Sequence, residues 1–305
     1  MRHFRTVVLV AFFTVLSLSP ALEAREITAI FSPNGGFAPL NNERTVIFPD
    51  GTIASATLTN QALSMIRNTP DGGEIKIAMY SFSVPEVQEE LIKVAGERNI
   101  RVKVILDSSA EWTQEAVNGF IEDVKEGAKK YSDFDYQMKL VTKESFIKAK
   151  RTRKLKDGTM IYGTMHEKFG IFYDQKDGSP RHSFNGSANL SGMTNSIYAE
   201  DRVVFLNDPK TAEIFAQEFA RLWEWYGINA YGNITPEKVT RPRQKGDTKI
   251  VFTSLKDRAG GRNTVDRLIK DTLDKVDYRH GTIDIALFAY THWEIAQKLL
   301  NMAQA

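Results

Sequence analysis

His166-Glu167-Lys168-Phe169-Gly170-Ile171-Phe172-Tyr173-Asp174 is the stretch that decides the fold; eleven residues later come Gly186-Ser187-Ala188-Asn189, and then Ala199-Glu200-Asp201. A histidine and a lysine two apart on an extended segment face the same way. The apolar run from Phe169 to Tyr173 reads as a strand buried inside a sheet. The Gly-Ser-x-Asn turn adds a hydroxyl, a carboxamide and exposed backbone N–H groups. Imidazole, ammonium, hydroxyl and carboxamide together suit a phosphodiester centre, where one group attacks phosphorus and donors hold the non-bridging oxygens.

Working outward, the segments on either side alternate between strand and helix patterns. Ile27 to Phe31 reads as a strand, and Ser32 to Gly51, with Pro33-Asn34-Gly35-Gly36 and Pro49-Asp50-Gly51, reads as loop. Ser55 to Asn68 places Leu58, Ala62, Met65 and Ile66 on one helical face. A strand is expected over Glu74–Phe82, a helix from Pro85 to about Arg98, and a strand from Val102 to Leu106 ending in Asp107. A long helix from about Ala110 to Tyr131 and a strand over Tyr136–Val141 follow. Beyond the central stretch come a strand at Arg202–Leu206 and a helix from Pro209 with Phe215, Phe219, Leu222 and Trp223 on its buried stripe. The alternation predicts an α/β layer fold.

The chain has 305 residues, 42% hydrophobic and 26% charged, with a net charge of +2. That length suffices for one large domain or two small ones, and the charge is too small to imply a polyanionic partner by itself. Residues 1–24 read as a secretory signal: Arg2, His3 and Arg5 form the basic region, Thr6–Leu18 the apolar region, and Ala21 or Ala24 the cleavage site. An uncleaved N-terminal anchor is the alternative. The apolar run is shorter than the ~20 residues of a spanning helix, so the mature protein is expected to be secreted or periplasmic, without an integral membrane segment. No cysteine is present, which excludes thiol nucleophiles and cysteine-ligated zinc; the five histidines are scattered without metal-site spacing. Lys143 to Lys156 holds seven cations against one glutamate and no apolar periodicity. It reads as an exposed basic loop before the His166 strand. Lys148, Lys150, Arg151, Arg153 and Lys154 are its candidate phosphate- or polyanion-binding residues, beside the plainer reading of a solvated charge run.

The chain also repeats itself. Ile75-Lys-Ile-Ala-Met-Tyr with its following helix resembles Ile283-Asp-Ile-Ala-Leu-Phe with its own, at an offset of 208 residues. Ile75/Ile283, Ile77/Ile285, Ala78/Ala286, Glu86/Glu294, Leu91/Leu299 and Ala95/Ala303 are identical pairs. Residues 228–247, rich in Gly, Pro and basic residues, read as the connection between the halves.

The paired motifs with a downstream glutamate resemble the signature of the phospholipase D superfamily. His166, Lys168, Gly186, Ser187, Asn189 and Glu200 match it, whereas Tyr173 holds the family's Asp position and Asp174 follows one residue later. The resemblance implies a mixed sheet between helix layers with the His strand at its centre. It divides the chain into a catalytic half, 25–227, a linker, 228–247, and the start of an incomplete second half, 248–305. The chemistry it implies is covalent and needs no metal or other cofactor. His166 attacks phosphorus, Lys168, Asn189 and Ser187 hold oxygens, Glu200 orients an imidazole, and Asp174 fills a structural place. A second histidine must protonate the leaving oxygen, so the resemblance implies either a truncated two-motif protein or a homodimer. Three functions follow as expectations: a secreted phospholipase D-type hydrolase of phospholipid head groups, a nonspecific endonuclease, or an inactive phosphate-binding half-domain.

Overall fold

Period-two alternation of apolar residues builds the sheet, and helical stripes cover both its faces. The computed structural model describes residues 24–32, 45–47, 53–55, 57–109, 111–148, 152–174, 178–191, 198–225, 250, 252, 264–277, 279–285 and 292–304. Strands β1 (Glu26–Phe31), β2 (Thr45–Ile47) and β3 (Ile53–Ser55) precede helix α1 (Thr57–Asn68). Then β4 (Glu74–Met79), α2 (Pro85–Glu97), β5 (Arg101–Asp107), α3 (Glu111–Lys130) and β6 (Tyr136–Val141) alternate. Helix α4 (Lys143–Lys148), β7 (Thr152–Lys154) and β8 (Met160–Tyr162) lead to β9 (Lys168–Tyr173), β10 (Pro180–Gly186), β11 (Asp201–Leu206) and α5 (Pro209–Trp225). Helices α6 (Thr264–Leu273) and α7 (Trp293–Gln304) complete the set.

Seven strands form one mixed sheet in the order β1-β11-β10-β9-β4-β5-β6. Strands β4, β5 and β6 are parallel, and the pairs from β4 through β9, β10 and β11 to β1 are antiparallel. Strand β9 is therefore central, and every residue in it is buried. On one face Ile75, Ile77, Val102, Val104 and Phe172 pack with Leu58, Leu63, Val87, Leu91 and Phe120 of α1, α2 and α3. On the other, Ala78, Ile105, Phe169 and Ile171 meet Phe215, Phe219 and Leu222 of α5. Each such large side chain contributes ~1.5–3 kcal/mol by leaving water, and the result is an αβα sandwich.

Two details lock the layers. A Cβ on Gly170 would stand 2.6 Å from the ring of Phe184, its cross-strand partner on β10, so only glycine lets that ring lie across β9. The buried Arg202 of β11 donates through Nη1 to the Leu58 carbonyl at 2.6 Å and to Gln61 Oε1 at 2.9 Å. It thereby ties β11 to the first turn of α1.

Some expected elements differ. Part of the expected loop Ser32–Gly51 is strand β2, paired with β3. The expected basic loop Lys143–Lys156 contains α4 and β7. Thr142 and Ser145 exchange N–H···Oγ bonds of 3.0 and 3.3 Å at the start of α4, a reciprocal cap, and Phe146 is buried beneath it. In the expected second half, residues 281–285 carry no strand. There Ile250 and Phe252 are described as single residues, and Phe252 packs on Phe215 of α5 with ring centroids 6.0 Å apart. Residues 1–23 of the expected signal, 1–24, and all of the expected linker, 228–247, lie outside the described residues.

Candidate active site

The strand directions gather the motif residues at one edge of the sheet. Parallel β4 and β5 end there, β10 ends there, and antiparallel β9 and β11 begin there. Lys168 opens β9 opposite Met79, the last residue of β4; His166 lies just before the strand rather than in it. Even so the two side chains meet. Lys168 Nζ donates to His166 Nδ1 at 3.1 Å and to the His166 carbonyl at 2.9 Å. The His166 ring packs on Tyr80, centroids 4.5 Å apart, and Lys168 Nζ lies 5.2 Å from the Tyr80 ring centre, within cation–π range.

The Gly-Ser-x-Asn turn is fixed from two sides. Ser187 and Ala188 donate their N–H groups to the Asp201 carbonyl at 3.1 and 3.3 Å, and the Asp201 N–H donates to Ser187 Oγ at 3.0 Å. Asn189 Oδ1 accepts the Ser81 N–H at 3.1 Å. That bond commits the carboxamide's oxygen to the segment just after β4 and leaves Nδ2 as its donor end. Gly186 is required by proximity, since a Cβ there would stand 2.2 Å from the Asp201 carbonyl oxygen. Glu200 is pinned through its backbone: its N–H donates to Ser32 Oγ at 3.2 Å, and its carbonyl accepts the Ser32 N–H at 2.9 Å.

Electrostatics tune the pair. Burial draws Lys168 down to about 8, opposed by the negative charges of Glu200 and Glu167. His166 is lowered as well, first by desolvation and then by Lys168, so the imidazole is neutral near pH 7 while Lys168 is still largely an ammonium. Glu200 thus acts on Lys168; no hydrogen bond from Glu200 to His166 appears among the described residues. Glu167 points to the α5 side, and its carboxyl is raised to about 7 by burial and by Glu218, against Arg221 and Lys168.

Two contributors had gone unassigned. Tyr80 supplies the wall behind His166; its signal was its place directly after an apolar strand. Asp107, wholly buried at the end of β5, accepts the Met165 N–H at 2.7 Å through Oδ2. Through Oδ1 it accepts the Ser109 N–H at 2.8 Å and the Ser109 hydroxyl at 2.6 Å. It fixes the segment that presents His166, and burial raises its pKa despite those bonds.

Asp174 does not join the cluster. The six residues of β9, at ~3.3 Å each, separate it from Lys168. There it pairs with Arg181 at 3.0 Å and lines a cavity of about 770 Å³ with Met65, Phe172 and Val204. Of the basic candidates, Arg153 and Lys154 are exposed on β7, Lys148 ends α4, and Lys150 and Arg151 lie outside the described residues.

Among solved structures, the phospholipase D family member Nuc from Salmonella typhimurium is 18% identical, with a TM-score of 0.42 over 66% of this chain and 96% of that one. NucT from Helicobacter pylori is 20% identical, with a TM-score of 0.42 over 67% and 100%. Phosphatidylserine synthase from Haemophilus influenzae is 11% identical, with a TM-score of 0.42 over 71% and 43%. A comparison with curated proteins finds no match. The family model described as cardiolipin synthase, phospholipase D-like domain, matches residues 63–223. That span carries His166, Lys168, Ser187, Asn189 and Glu200 on a mixed sheet between two helix layers, and the chain belongs to this phospholipase D-like family of phosphodiesterase-type enzymes.

Proposed function

We propose that the chain hydrolyses phosphodiesters through a phosphohistidine, with phospholipid head-group diesters as substrate. The observation that carries this reading is the 3.1 Å contact of Lys168 Nζ with a neutral His166, beside the donor end of Asn189. A phosphate entering the site takes the Lys168 ammonium and the Asn189 Nδ2 onto its non-bridging oxygens, with Ser187 assisting. Release of Lys168 from Nδ1 leaves His166 free to attack. A nitrogen–phosphorus bond forms, the phosphorus–oxygen bond to the leaving group breaks, and a second imidazole protonates the departing oxygen. The same imidazole then takes a proton from water, which attacks phosphorus and restores His166. Glu200 keeps Lys168 charged against burial, and Asp107 is a positioning residue for His166.

A secreted enzyme acting on lipid fits the leader-like residues 1–24. Nucleic acid is the second reading, favoured by the exposed Arg153 and Lys154. The test is turnover of a soluble chromogenic phosphodiester in EDTA by the wild type and His166→Ala. Turnover is expected in EDTA, because Lys168 and Asn189 provide the charge compensation. The substitution should lower it by roughly three orders of magnitude or more. Equal turnover in both proteins would refute the assignment of His166.

A further inference from the structure

We propose that the β7–β8 hairpin, with α4 beside it, is a membrane-docking element that seats the site on a bilayer surface containing anionic lipid; the proposal rests on the phospholipid reading above. The hairpin stands at the catalytic edge of the sheet. Helix α4 starts two residues after β6 ends, and the segment leaving β8 runs through Met165, held by Asp107, directly to His166.

Its surface has an unusual composition. Met160 is 39% exposed, Ile161 47% and, on α4, Ile147 53%, so three large apolar side chains are presented to solvent on neighbouring elements. The strand register sets each of the first two against a cation, Arg153 opposite Ile161 and Lys154 opposite Met160. Directly opposed residues share a face, so both faces of the ribbon carry an apolar side chain beside a positive one. Lys156 adds a third cation at the turn. The hairpin's one acid, Asp157, spends an oxygen on the Thr159 N–H at 2.9 Å, and the turn closes through the Leu155 N–H and the Thr159 carbonyl at 2.8 Å.

Isolated exposed apolar residues are ordinary, but a cluster of them interleaved with Lys and Arg matches an interface with lipid. The cations meet anionic head groups and the Met and Ile side chains enter the acyl boundary. A single-stranded nucleic acid would instead be served by aromatic rings on which bases stack, and the exposed tip offers aliphatic side chains in their place. Read as linear sequence, the basic run stops at Lys156 and shows little to insert into lipid; the fold brings Met160 and Ile161 back beside it.

The experiment is co-sedimentation of the full chain with phosphatidylcholine vesicles, with and without phosphatidylglycerol. It is run for the wild type, Met160→Ser/Ile161→Ser and Arg153→Glu/Lys154→Glu, alongside turnover of the soluble diester and binding of DNA. The wild type is expected to sediment only with phosphatidylglycerol vesicles, and each double variant to lose at least about tenfold in vesicle affinity. Met160→Ser/Ile161→Ser should turn over the soluble diester as the wild type does, which also shows that it folds. Vesicle binding that survives this variant overturns the proposal. Loss of DNA binding in the charge variant with no vesicle binding by the wild type makes the hairpin a nucleic-acid contact and overturns it too. Vesicle binding is scored independently of turnover. A chain that binds phosphatidylglycerol vesicles through these residues but leaves the soluble diester intact supports the docking surface and overturns the enzymatic reading instead.

Discussion

In the proposed mechanism the Lys168 ammonium faces two demands. It has to be charged to hold a phosphate, yet it is buried, and burial favours its neutral form. Glu200 and Glu167 restore part of the loss and leave it at about 8. His166 has the opposite requirement, since a protonated ring cannot attack, and burial together with Lys168 lowers its pKa below 6.5. The signs combine into a bell. In kcat/KM, which reports the free enzyme, activity rises as pH passes the depressed His166 value, falls as the proton-donating second imidazole is deprotonated, and falls further as Lys168 loses its proton near pH 8. Lys168→Arg, with a guanidinium that stays charged to far higher pH, should remove the fall near pH 8 while leaving the imidazole titrations in place. Lys168→Met should cost about 10²–10³-fold in kcat at neutral pH. A fall near pH 8 unchanged in Lys168→Arg would assign that titration to another group.

Elements place these residues, and the β10–β11 pair does so most tightly. Gly186 ends β10 opposite Arg202. A methyl group there would stand 2.2 Å from the Asp201 carbonyl oxygen and 2.8 Å from the Arg202 Cα, both backbone atoms. Neither can move without parting the strands. Gly186→Ala should therefore destabilise the protein by about 1–3 kcal/mol and disconnect the Ser187–Asn189 turn from β11. Urea unfolding and turnover would show both losses; a wild-type unfolding midpoint would mean that the strands absorb the methyl group elsewhere. The sequence marks this glycine through the Gly-Ser-x-Asn pattern, but as a turn residue; its need for close approach emerges only when β11 lies beside it. The same division runs through the fold. The buried run Phe169–Tyr173 and the amphipathic stripes of α1 and α5 are local patterns, so the αβα layers and the central His strand were legible. The hairpin β7–β8 was not, because no apolar alternation marks a ribbon with both faces in solvent. The separation of Asp174 from the motif cluster was not legible for a related reason. Spacing along a strand gives which face a residue takes, whereas its distance from Lys168 follows from β9 staying extended through Tyr173. Asp107 ended a recognised strand, but its hold on Met165 joins residues 58 positions apart, which no local pattern records.

At the scale of the molecule, the described residues bring one imidazole to the site, while the proposed mechanism employs two. The other described histidines are engaged elsewhere. His182 Nδ1 accepts the Asn207 N–H at 3.0 Å, His280 pairs with Asp277 at 3.0 Å, and His292 pairs with Asp266 of α6 at 3.2 Å. Helices α6 and α7 also join through Lys270–Glu294 and Lys298–Asp274 ion pairs, so this segment has contacts of its own. The site itself lies at an open edge of the sheet, where His166 is covered by Tyr80 on one side and still reaches solvent on the other, which lets a second copy of the same edge face it. An isologous pairing would place each His166 across from the other, one as nucleophile and one as acid, in the way a twofold makes a contact reciprocal. Activity should then follow the assembly. For a chain of 34.4 kDa, specific activity is expected to fall on serial dilution over the concentrations at which sedimentation passes from twice that mass to the single chain. Mixing wild type with excess His166→Ala should depress turnover below simple dilution of the wild type, because mixed pairs hold one imidazole where two are needed. Constant specific activity in a species of single-chain mass would show instead that His166 attacks while a group other than a second imidazole protonates the leaving oxygen. In that case Glu167, held at about 7 by burial, would be the first residue to replace by glutamine.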